Sequence, residues 1–340
     1  MSIVSDDINE IFLFFKNGWS HFKNMKILIT GGTGFFGKNI VSSFIHANNV
    51  LDLNISLYVV TRNRKIDSNF YGIEDKYSIL KFIHSDIISF SNYTNEINYI
   101  IHAASTSNKD DVIRHPNYTL DSILIGTKNI LEFAKKQKNI KSLLIISSGA
   151  VYGANRYSKI PIPENTYFSI DLNDSFSSYS LGKKTAELYA KNYMSEYNIP
   201  IKIARCFTFI GPLMNLNQNL AFTSFMSSFI NSKKIIVNNK NTIRSYMYST
   251  DLVNWLLNIL VFSKSGSVYN VGSDEQVTMG ALSKKIAAYN HNITVEEKSS
   301  NKVNMYVPDI KKIKDELDLK ININLDDAIK RVIHYISNKI

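Results

Sequence analysis

Two side chains that could exchange protons lie four residues apart in the segment YSLGK, at Tyr179 and Lys183. Segment 178–198 has the pattern of a long helix, so both side chains are expected on one helix face. A nearby ammonium favours the phenolate form, which predicts that Lys183 lowers the pKa of Tyr179 toward useful proton exchange. Taken alone, the pair is equally typical of an ordinary surface helix.

Ser148 supplies a third group, in the segment SSGAVYG. It ends a predicted strand, and open parallel sheets bind their ligands at the carboxyl ends of the strands. A hydroxyl there could share a hydrogen bond with the substrate oxygen that Tyr179 protonates, and Ser147 is the neighbouring alternative. The three residues together predict acid/base chemistry at the edge of a sheet.

Three glycines, each three residues from the next, follow the apolar run KILIT near the amino terminus. A strand that runs into a glycine turn and then a helix is typical of dinucleotide binding. The bare backbone would permit a tight turn, let a pyrophosphate approach the helix amino terminus and let helix and strand pack closely. A glycine turn without a ligand is the alternative. The loop residues predicted to contact the cofactor are Gly31, Thr33, Gly34, Phe35, Phe36 and Gly37.

The elements that must position these residues alternate along the chain. Apolar runs predict six strands, and segments such as 122–137 and 178–198 between them have helical spacing. Near-continuous apolar strands alternating with helices predict an α/β fold with a doubly wound parallel sheet of the Rossmann type. The strands are expected at 26–30, 55–61, 79–86, 97–105, 141–149 and 201–209.

The pattern becomes less regular after Pro212, which predicts a smaller, mixed C-terminal domain. The expected division is an N-terminal helical extension (1–24), a dinucleotide-binding domain (25–212) and a second domain (213–340). Part of the last range, 234–275, is expected to return to the first domain. The extension is expected to pack on the surface or on a partner.

The end of the second strand usually distinguishes the two nicotinamide dinucleotides. A carboxylate there binds the ribose 2′-hydroxyl, whereas an arginine accepts a 2′-phosphate. The sequence reads VVTRNR, with Arg62 and Asn63 and no carboxylate, which favours NADP(H) and leaves NAD(H) possible. A solvated Arg62, or one stacked on adenine, is the alternative. Asp86 after the third strand is placed to meet the adenine edge, or is an ordinary loop carboxylate.

Composition narrows the class of protein further. The 340 residues are 44% hydrophobic and include a single cysteine, which excludes a disulfide framework and a multi-cysteine metal site. The net charge is +10, but Lys and Arg are spread along the chain, so a nucleic-acid partner is not predicted. No apolar run is long enough to span a membrane, and the acidic start is unlike a signal peptide. The expected location is the cytoplasm, with no membrane partner and no metal.

The ordered set of motifs resembles the extended short-chain dehydrogenase/reductase superfamily, in its nucleotide-sugar epimerase/dehydratase branch. The resemblance covers about residues 25–290. It is carried by the segments TGGTGFFG (30–37), SDI (85–87), HAA (102–104), SSGAVYG (147–153), YSLGK (179–183), ARCFTFIGP (204–212), RSYMYSTDL (244–252) and YNVGS (269–273).

The resemblance implies roles for particular residues. Tyr179 would be the acid/base, Lys183 would orient the nicotinamide ribose, and Ser148 would polarise the sugar oxygen. Ile87, Ala103 and Ala104 would line the cofactor. Arg244 would bind the substrate diphosphate with help from Asn219, unless Arg244 forms a structural ion pair with Asp251. The C-terminal domain would bind the nucleotide sugar, and a homodimer would form through the helices at 120–137 and 178–198.

The resemblance also implies hydride transfer at a sugar carbon, usually C4. Dehydratases of this type carry Asp-Glu after the catalytic hydroxyl, and Gly149 and Ala150 stand there instead. The sequence therefore favours a reductase of a 4-keto-6-deoxy nucleotide sugar, such as dTDP-4-dehydro-6-deoxyglucose. Such an enzyme would serve O-antigen, lipopolysaccharide or another surface polysaccharide. A UDP-hexose 4-epimerase is the main alternative. A 4,6-dehydratase, a decarboxylase or a non-catalytic dinucleotide-binding regulator is less favoured.

Overall fold

The structure of the protein is a computed structural model that describes residues 3–91, 93–105, 108–153, 160–167, 169–218, 220–231, 234–300 and 304–338. In chain order, the strands in these ranges are β1 (Lys26–Thr30), β2 (Ser56–Thr61), β3 (Leu80–His84), β4 (Tyr99–His102), β5 (Ser142–Ser148), β6 (Ile201–Cys206), β7 (Phe209–Ile210), β8 (Ile235–Val237), β9 (Ile243–Arg244), β10 (Met247–Tyr248), β11 (Val268–Val271), β12 (Val277–Thr278), β13 (Val295–Glu297) and β14 (Met305–Tyr306). The α-helices are α1 (Ile3–Phe15), α2 (Phe35–Leu51), α3 (Lys109–Arg114), α4 (Pro116–Lys135), α5 (Ser177–Tyr197), α6 (Ala221–Ile230), α7 (Ser249–Phe262), α8 (Met279–Ala287), α9 (Lys311–Leu317) and α10 (Leu325–Ser337).

The main sheet has seven strands in the order β11-β6-β5-β4-β1-β2-β3, and every neighbouring pair is parallel. From β1 the chain first extends the sheet through β2 and β3, and it then returns to the other side of β1 at β4. The strand order therefore reverses between β1 and β4, the point where open α/β sheets form a ligand crevice. This sheet confirms the predicted α/β fold class.

Helices cover both faces of the sheet, as the apolar strands require. Alternate residues of β1 enter opposite cores: Ile27 and Ile29 pack with α2 and α7, whereas Leu28 packs with α4 and α5. Strands β5 and β6, at whose carboxyl ends Ser148 and Cys206 lie, are buried along almost their whole length. The site is consequently mounted on a rigid, doubly covered sheet.

The N-terminal extension is helical as predicted, but its expected place on the surface or on a partner is wrong. Helix α1 and the following 3-10 helix (Lys16–Phe22) insert Ile11, Phe15, Trp19 and Phe22 into the core that contains α2 and α7. Trp19 and Phe22 are fully buried, and burial of one such side chain contributes about 1.5–3 kcal/mol. The spacing of apolar residues correctly predicts a helix here. Spacing alone does not identify the surface that the apolar face of the helix covers.

The C-terminal part forms a second core from α6, α8, α10 and β8. It is joined to the main body where β10 pairs in parallel with β7, opposing Met247 to Phe209. Strand β9 lies between β12 and β14 in a separate small sheet. The division at residue 212 stays a prediction, but β9, β10 and β14 bring C-terminal residues to the edge of the main sheet. In the described ranges, no helix combines the length and apolarity that a membrane crossing requires.

Candidate active site

The glycine loop joins β1 to α2 at the point where the strand order reverses. Gly31 has φ +71°, and a Cβ there would lie 2.7 Å from the carbonyl oxygen of Ala103. A Cβ on Gly37 would overlap the carbonyl of Gly31. Gly34 is the N-cap of α2 and caps it with no side chain, so backbone N–H groups at this helix end are available to an anion. The loop therefore has the bare backbone that a pyrophosphate needs, and the residues fit a dinucleotide.

A cavity of about 1220 Å³ begins at this loop and follows the carboxyl ends of the strands to β9. Most of the predicted site residues line it. They are Gly31, Thr33, Gly34, Phe35, Phe36, Gly37, Arg62, Asp86, Ile87, Ala103, Ala104, Ser148, Tyr179, Lys183 and Arg244. Asn63 does not line the cavity, because its side chain turns back to accept a hydrogen bond from the Lys65 amide at 2.9 Å. Asn219 lies outside the described residues.

Lys183 reaches from α5 to the end of β5. Its Nζ donates a hydrogen bond of 2.9 Å to the carbonyl oxygen of Ile146 and lies 5.9 Å from the ring centroid of Tyr179. The residue is only 7% exposed, and burial lowers the pKa of the ammonium to about 8. A lysine with this pKa can still be charged at neutral pH, close to the phenol that it was predicted to serve.

Tyr179 departs from one expectation. Burial raises the pKa of its phenol to about 12, and the hydrogen bond with Ser148 only partly opposes the rise. The predicted lowering by Lys183 is wrong for this structure, because desolvation outweighs the charge of an ammonium that is directed at a backbone carbonyl. The phenol therefore holds its proton in this structure, and it can act as a base only after that proton has left. The Ser148 hydroxyl also accepts a hydrogen bond of 3.1 Å from the Ala150 amide, which fixes its position.

Three side chains meet at the end of the cavity near β2 and β3. Arg62 donates to the Tyr118 hydroxyl at 2.5 Å, and this hydroxyl donates to Asp86 Oδ2 at 3.2 Å. Arg62 is also 3.7 Å from Asp86, although its side chain is 68% exposed. Asp86, which follows β3, thus supplies a carboxylate that the end of β2 lacks. The contact between Arg62 and Asp86 weakens the prediction of NADP(H), because Arg62 already has an anionic neighbour.

Arg244 lies at the opposite end of the cavity. Its Nη1 donates to the carbonyl and the side-chain oxygens of Asn304 at 3.2 and 2.9 Å. The alternative ion pair with Asp251 does not form, because that carboxylate accepts the backbone amides of Asn322 and Ile323 instead. Burial lowers the pKa of the guanidinium. A half-buried guanidinium at a cavity wall is suited to binding phosphate oxygens.

The sequence analysis missed Tyr306 on β14. Its ring packs 4.7 Å from that of Phe207, and its hydroxyl occupies the space beside Gly149. Tyr306 lines the cavity and interacts with both Ser148 and Tyr179, and burial raises the pKa of its phenol. A short strand far along the chain gave no local signal for this contact, since only the pairing of β14 with β9 brings the residue to the site.

The cavity thus brings together a glycine loop that fits a dinucleotide, a serine, a tyrosine, a lysine and a guanidinium. The profile of the NAD dependent epimerase/dehydratase family matches residues 27–272. The chain belongs to this NAD-dependent family, which confirms the resemblance found in the sequence. Among the described residues, no cluster of His, Cys, Asp or Glu has the arrangement of a metal site.

Similar proteins include UDP-sugar epimerases and decarboxylases. A putative UDP-glucose 4-epimerase of Methanocaldococcus jannaschii is 28% identical over 325 residues, which are 92% of this chain and 98% of that protein. UDP-glucuronic acid decarboxylase 1 of Xenopus tropicalis is 26% identical over 314 residues, or 91% of this chain and 72% of that protein. The crystal structure of UDP-glucose 4-epimerase from Thermotoga maritima, with UDP-glucose, has a TM-score of 0.77 at 21% identity, covering 93% of this chain and 99% of that chain. This likeness supports the fold.

Proposed function

We propose that the protein is a nucleotide-sugar 4-epimerase acting on a neutral UDP-hexose. The observation that carries the proposal is the convergence of Tyr179, Ser148 and Lys183 on one cavity wall, between the glycine loop and Arg244. The positions after Ser148 hold Gly149 and Ala150, which cannot move a proton. Tyr179, Ser148 and Lys183 are sufficient for oxidation and re-reduction at one carbon. Gly149 and Ala150 add no acid or base for a second step such as dehydration.

Each residue has a separate task in this proposal. When bound, a nicotinamide dinucleotide supplies reversible hydride transfer. Ser148 and Tyr179 hold the C4 hydroxyl, and Tyr179, once it has lost its own proton, takes the hydroxyl proton and later returns it. Lys183 keeps a positive charge beside the phenol, which favours the phenolate when the proton leaves. Arg244 holds the substrate diphosphate while the sugar presents either face.

The charges in the cavity argue against a decarboxylase. A uronic acid substrate carries a carboxylate that needs a cation. Among the described lining residues, the cations are Lys38, Arg62, Lys183 and Arg244, and these lie at the glycine loop, the β2 end, the catalytic wall and the proposed diphosphate site. Besides Asp86 at the cofactor end, three further carboxylates line the same cavity and would repel a uronate, namely Asp111, Asp171 and Asp174. A neutral hexose is therefore the favoured substrate.

A 4-keto reductase is the second candidate, and one observation favours it. Arg62 is largely exposed at the cofactor end of the cavity, where an NADP(H) 2′-phosphate could bind. The nearby Asp86 weakens this argument but does not remove it. Under this alternative the substrate is a 4-keto-6-deoxy nucleotide sugar and the cofactor is consumed.

The proposed assembly is a homodimer through α4 and α5. Exposed apolar side chains occur on both helices, at Ile125 on α4 and at Leu181 and Leu188 on α5. The two leucines are two helical turns apart and therefore lie in one stripe. We further propose that the enzyme makes precursors of surface polysaccharides in the cytoplasm.

Stoichiometry separates the two candidates. Purified protein is incubated with UDP-glucose, UDP-galactose or dTDP-4-dehydro-6-deoxyglucose, with NAD or NADPH, and sugars and dinucleotides are quantified together. The proposal predicts interconversion of the two UDP-hexoses with no net change in dinucleotide. One-for-one consumption of NADPH with the 4-keto sugar, and no epimer, would replace it with the reductase.

A further inference from the structure

A buried polar network lies directly behind the catalytic wall. Glu187 on α5 accepts hydrogen bonds from Arg205 on β6, with Nη2 at 2.7 Å and Nε at 3.1 and 3.2 Å from the carboxylate oxygens. The hydroxyl of Ser147 donates to the same carboxylate at 2.5 Å. Glu187 does not line the cavity, so it cannot touch a substrate there.

The network continues across three strand ends. Arg205 Nη1 donates to the Tyr152 hydroxyl at 2.8 Å, and this hydroxyl donates to Asn270 Oδ1 at 2.7 Å. The backbone amide of Asn270 donates to Glu164 Oε1 at 2.8 Å. Strands β5, β6 and β11 and the segment around residue 164 are therefore held together immediately beside the site.

Side chains on three successive turns of α5 contact the last three residues of β5. Tyr179 shares a hydrogen bond with Ser148, Lys183 donates to the carbonyl of Ile146, and Glu187 accepts from Ser147. The spacing of four residues places all three α5 side chains on one helix face. Glu187 is thus the last of three contacts that set the position of the catalytic helix against the catalytic strand.

We propose that Glu187, paired with Arg205, is a positioning residue that aligns Lys183 and Tyr179 with Ser148 and keeps Lys183 charged. This inference rests on the proposed oxidoreduction at C4. A merely structural ion pair would stabilise the fold without affecting the reactivity of Lys183. The proposal requires Glu187 to act on both the geometry and the charge of the site.

Glu187 lies one turn along α5 from Lys183, and its carboxylate acts electrostatically on the ammonium. Burial lowers the pKa of His102 to about 3, so this ring stays neutral between Thr30 and Thr127. Burial raises the pKa of the Cys206 thiol far above neutral and that of Tyr179 to about 12, so neither is an anion. Burial lowers the pKa of Lys183, and the carboxylate of Glu187 opposes that change.

The substitution Glu187→Gln keeps the size and an acceptor for Ser147 but removes the charge. The matched control is Glu132→Gln, which alters a carboxylate on α4 that is hydrogen-bonded to Tyr193 on α5, outside the cavity lining. In the whole chain with its dinucleotide, Glu187→Gln should have a kcat about 10- to 100-fold lower than the wild type. Its KM for the sugar should stay within about threefold of the wild-type value. The alkaline limb of the pH–kcat profile should move down by about one pH unit. A kcat and a profile equal to those of Glu132→Gln, with only a lower Tm, would overturn the proposal.

Two further measurements keep the test decisive. If Glu187→Gln does not fold, Ser147→Ala cuts the link to β5 and leaves the ion pair. Its kcat should fall about tenfold without a shift of the alkaline limb, and an unchanged kcat would contradict the alignment role. NMR titration of lysine Nζ in ¹⁵N-labelled protein, assigned with Lys183→Met, reads the Lys183 pKa without any substrate. An unchanged pKa in Glu187→Gln would contradict the charge role, whereas absence of turnover in the wild type would contradict only the proposed function.

Discussion

At the scale of single residues, Gly149 limits which chemistry the pocket can hold. A Cβ at this position would overlap the Tyr306 hydroxyl and lie 3.0 Å from the Phe207 ring. The acidic side chain that a dehydratase uses here is therefore excluded by space as well as by identity. Tyr306 lines the cavity and Gly149 lies behind it, so the two residues together shape one wall of the proposed sugar site.

The substitution Gly149→Ala tests this wall. The new methyl group must displace Tyr306, so kcat/KM for the nucleotide sugar should fall about tenfold or more. The double substitution Gly149→Ala with Tyr306→Phe removes the hydroxyl that is displaced. It should recover part of the loss relative to Tyr306→Phe alone. If the effects of Gly149→Ala and Tyr306→Phe on kcat/KM simply multiply in the double substitution, the two residues do not share a wall.

Gly31 and Gly72 form a natural comparison for the cofactor loop. Both have positive φ, at +71° and +68°, but a Cβ on Gly31 meets Ala103 whereas a Cβ on Gly72 meets nothing within 4 Å. Each alanine substitution should cost about 1 kcal/mol of folding stability from the backbone alone. Only Gly31→Ala should also weaken dinucleotide binding, by about tenfold or more. Calorimetric titration with NAD measures this, and equal affinities for the two variants would contradict the assigned role of the loop.

At the scale of elements, the sequence predicts what is local and periodic. Apolar runs and residue spacing predict six strands, the glycine turn and the long helix α5. The structure has these elements where they were expected. Tyr306, the Arg62–Asp86 contact and the Glu187 network were not predicted, because each joins elements far apart in the chain. The wrong pKa direction for Tyr179 has the same origin, since burial depends on the packing of the whole site.

The outer faces of α4 and α5 carry the proposed dimer contact. Leu188→Lys places a charge in the middle of the stripe and should shift the protein from dimer to monomer, because an unpaired buried charge is costly. Leu13→Lys on α1 is the control, since Leu13 is 54% exposed and Leu188 is 55% exposed. Light scattering with size-exclusion chromatography measures the mass. A dimer that persists in Leu188→Lys, or a monomeric wild type, would contradict the proposed interface.

At the scale of the whole molecule, α1 connects the two cores. Asp7 is 2% exposed and accepts a hydrogen bond of 2.8 Å from Tyr248, whereas Arg331 of α10 pairs mainly with Glu10, at 2.7 and 2.9 Å. Arg331 is 3.3 Å from Asp7, yet burial dominates and raises the pKa of Asp7 to about 7. These contacts attach the N-terminal helix to β10. Strand β10 begins three residues after Arg244, which lies in the proposed substrate site.

This raised pKa predicts how stability changes with pH. Between the ordinary value of 3.8 and about 7, the folded protein holds a proton on Asp7 that the unfolded chain has released. The free energy of unfolding therefore falls as pH rises through this window, by on the order of 4 kcal/mol from this group. Asp7→Asn should remove that part of the slope in denaturant unfolding, whereas Asp6→Asn on the exposed face of α1 should not. Identical slopes for wild type and Asp7→Asn would show that Asp7 is ionised in the folded state.

In the proposed reaction, hydrogen leaves C4 of the sugar and returns to the same carbon while Tyr179 moves the hydroxyl proton. The most direct measurement follows UDP-galactose labelled with deuterium at C4, by NMR and mass spectrometry, with wild type and Tyr179→Phe. The account predicts that the wild type forms UDP-glucose with the label still at C4. It also predicts that Tyr179→Phe binds NAD but forms this product at least about 1000-fold more slowly. Loss of the label to solvent, or undiminished epimerisation by Tyr179→Phe, would contradict it.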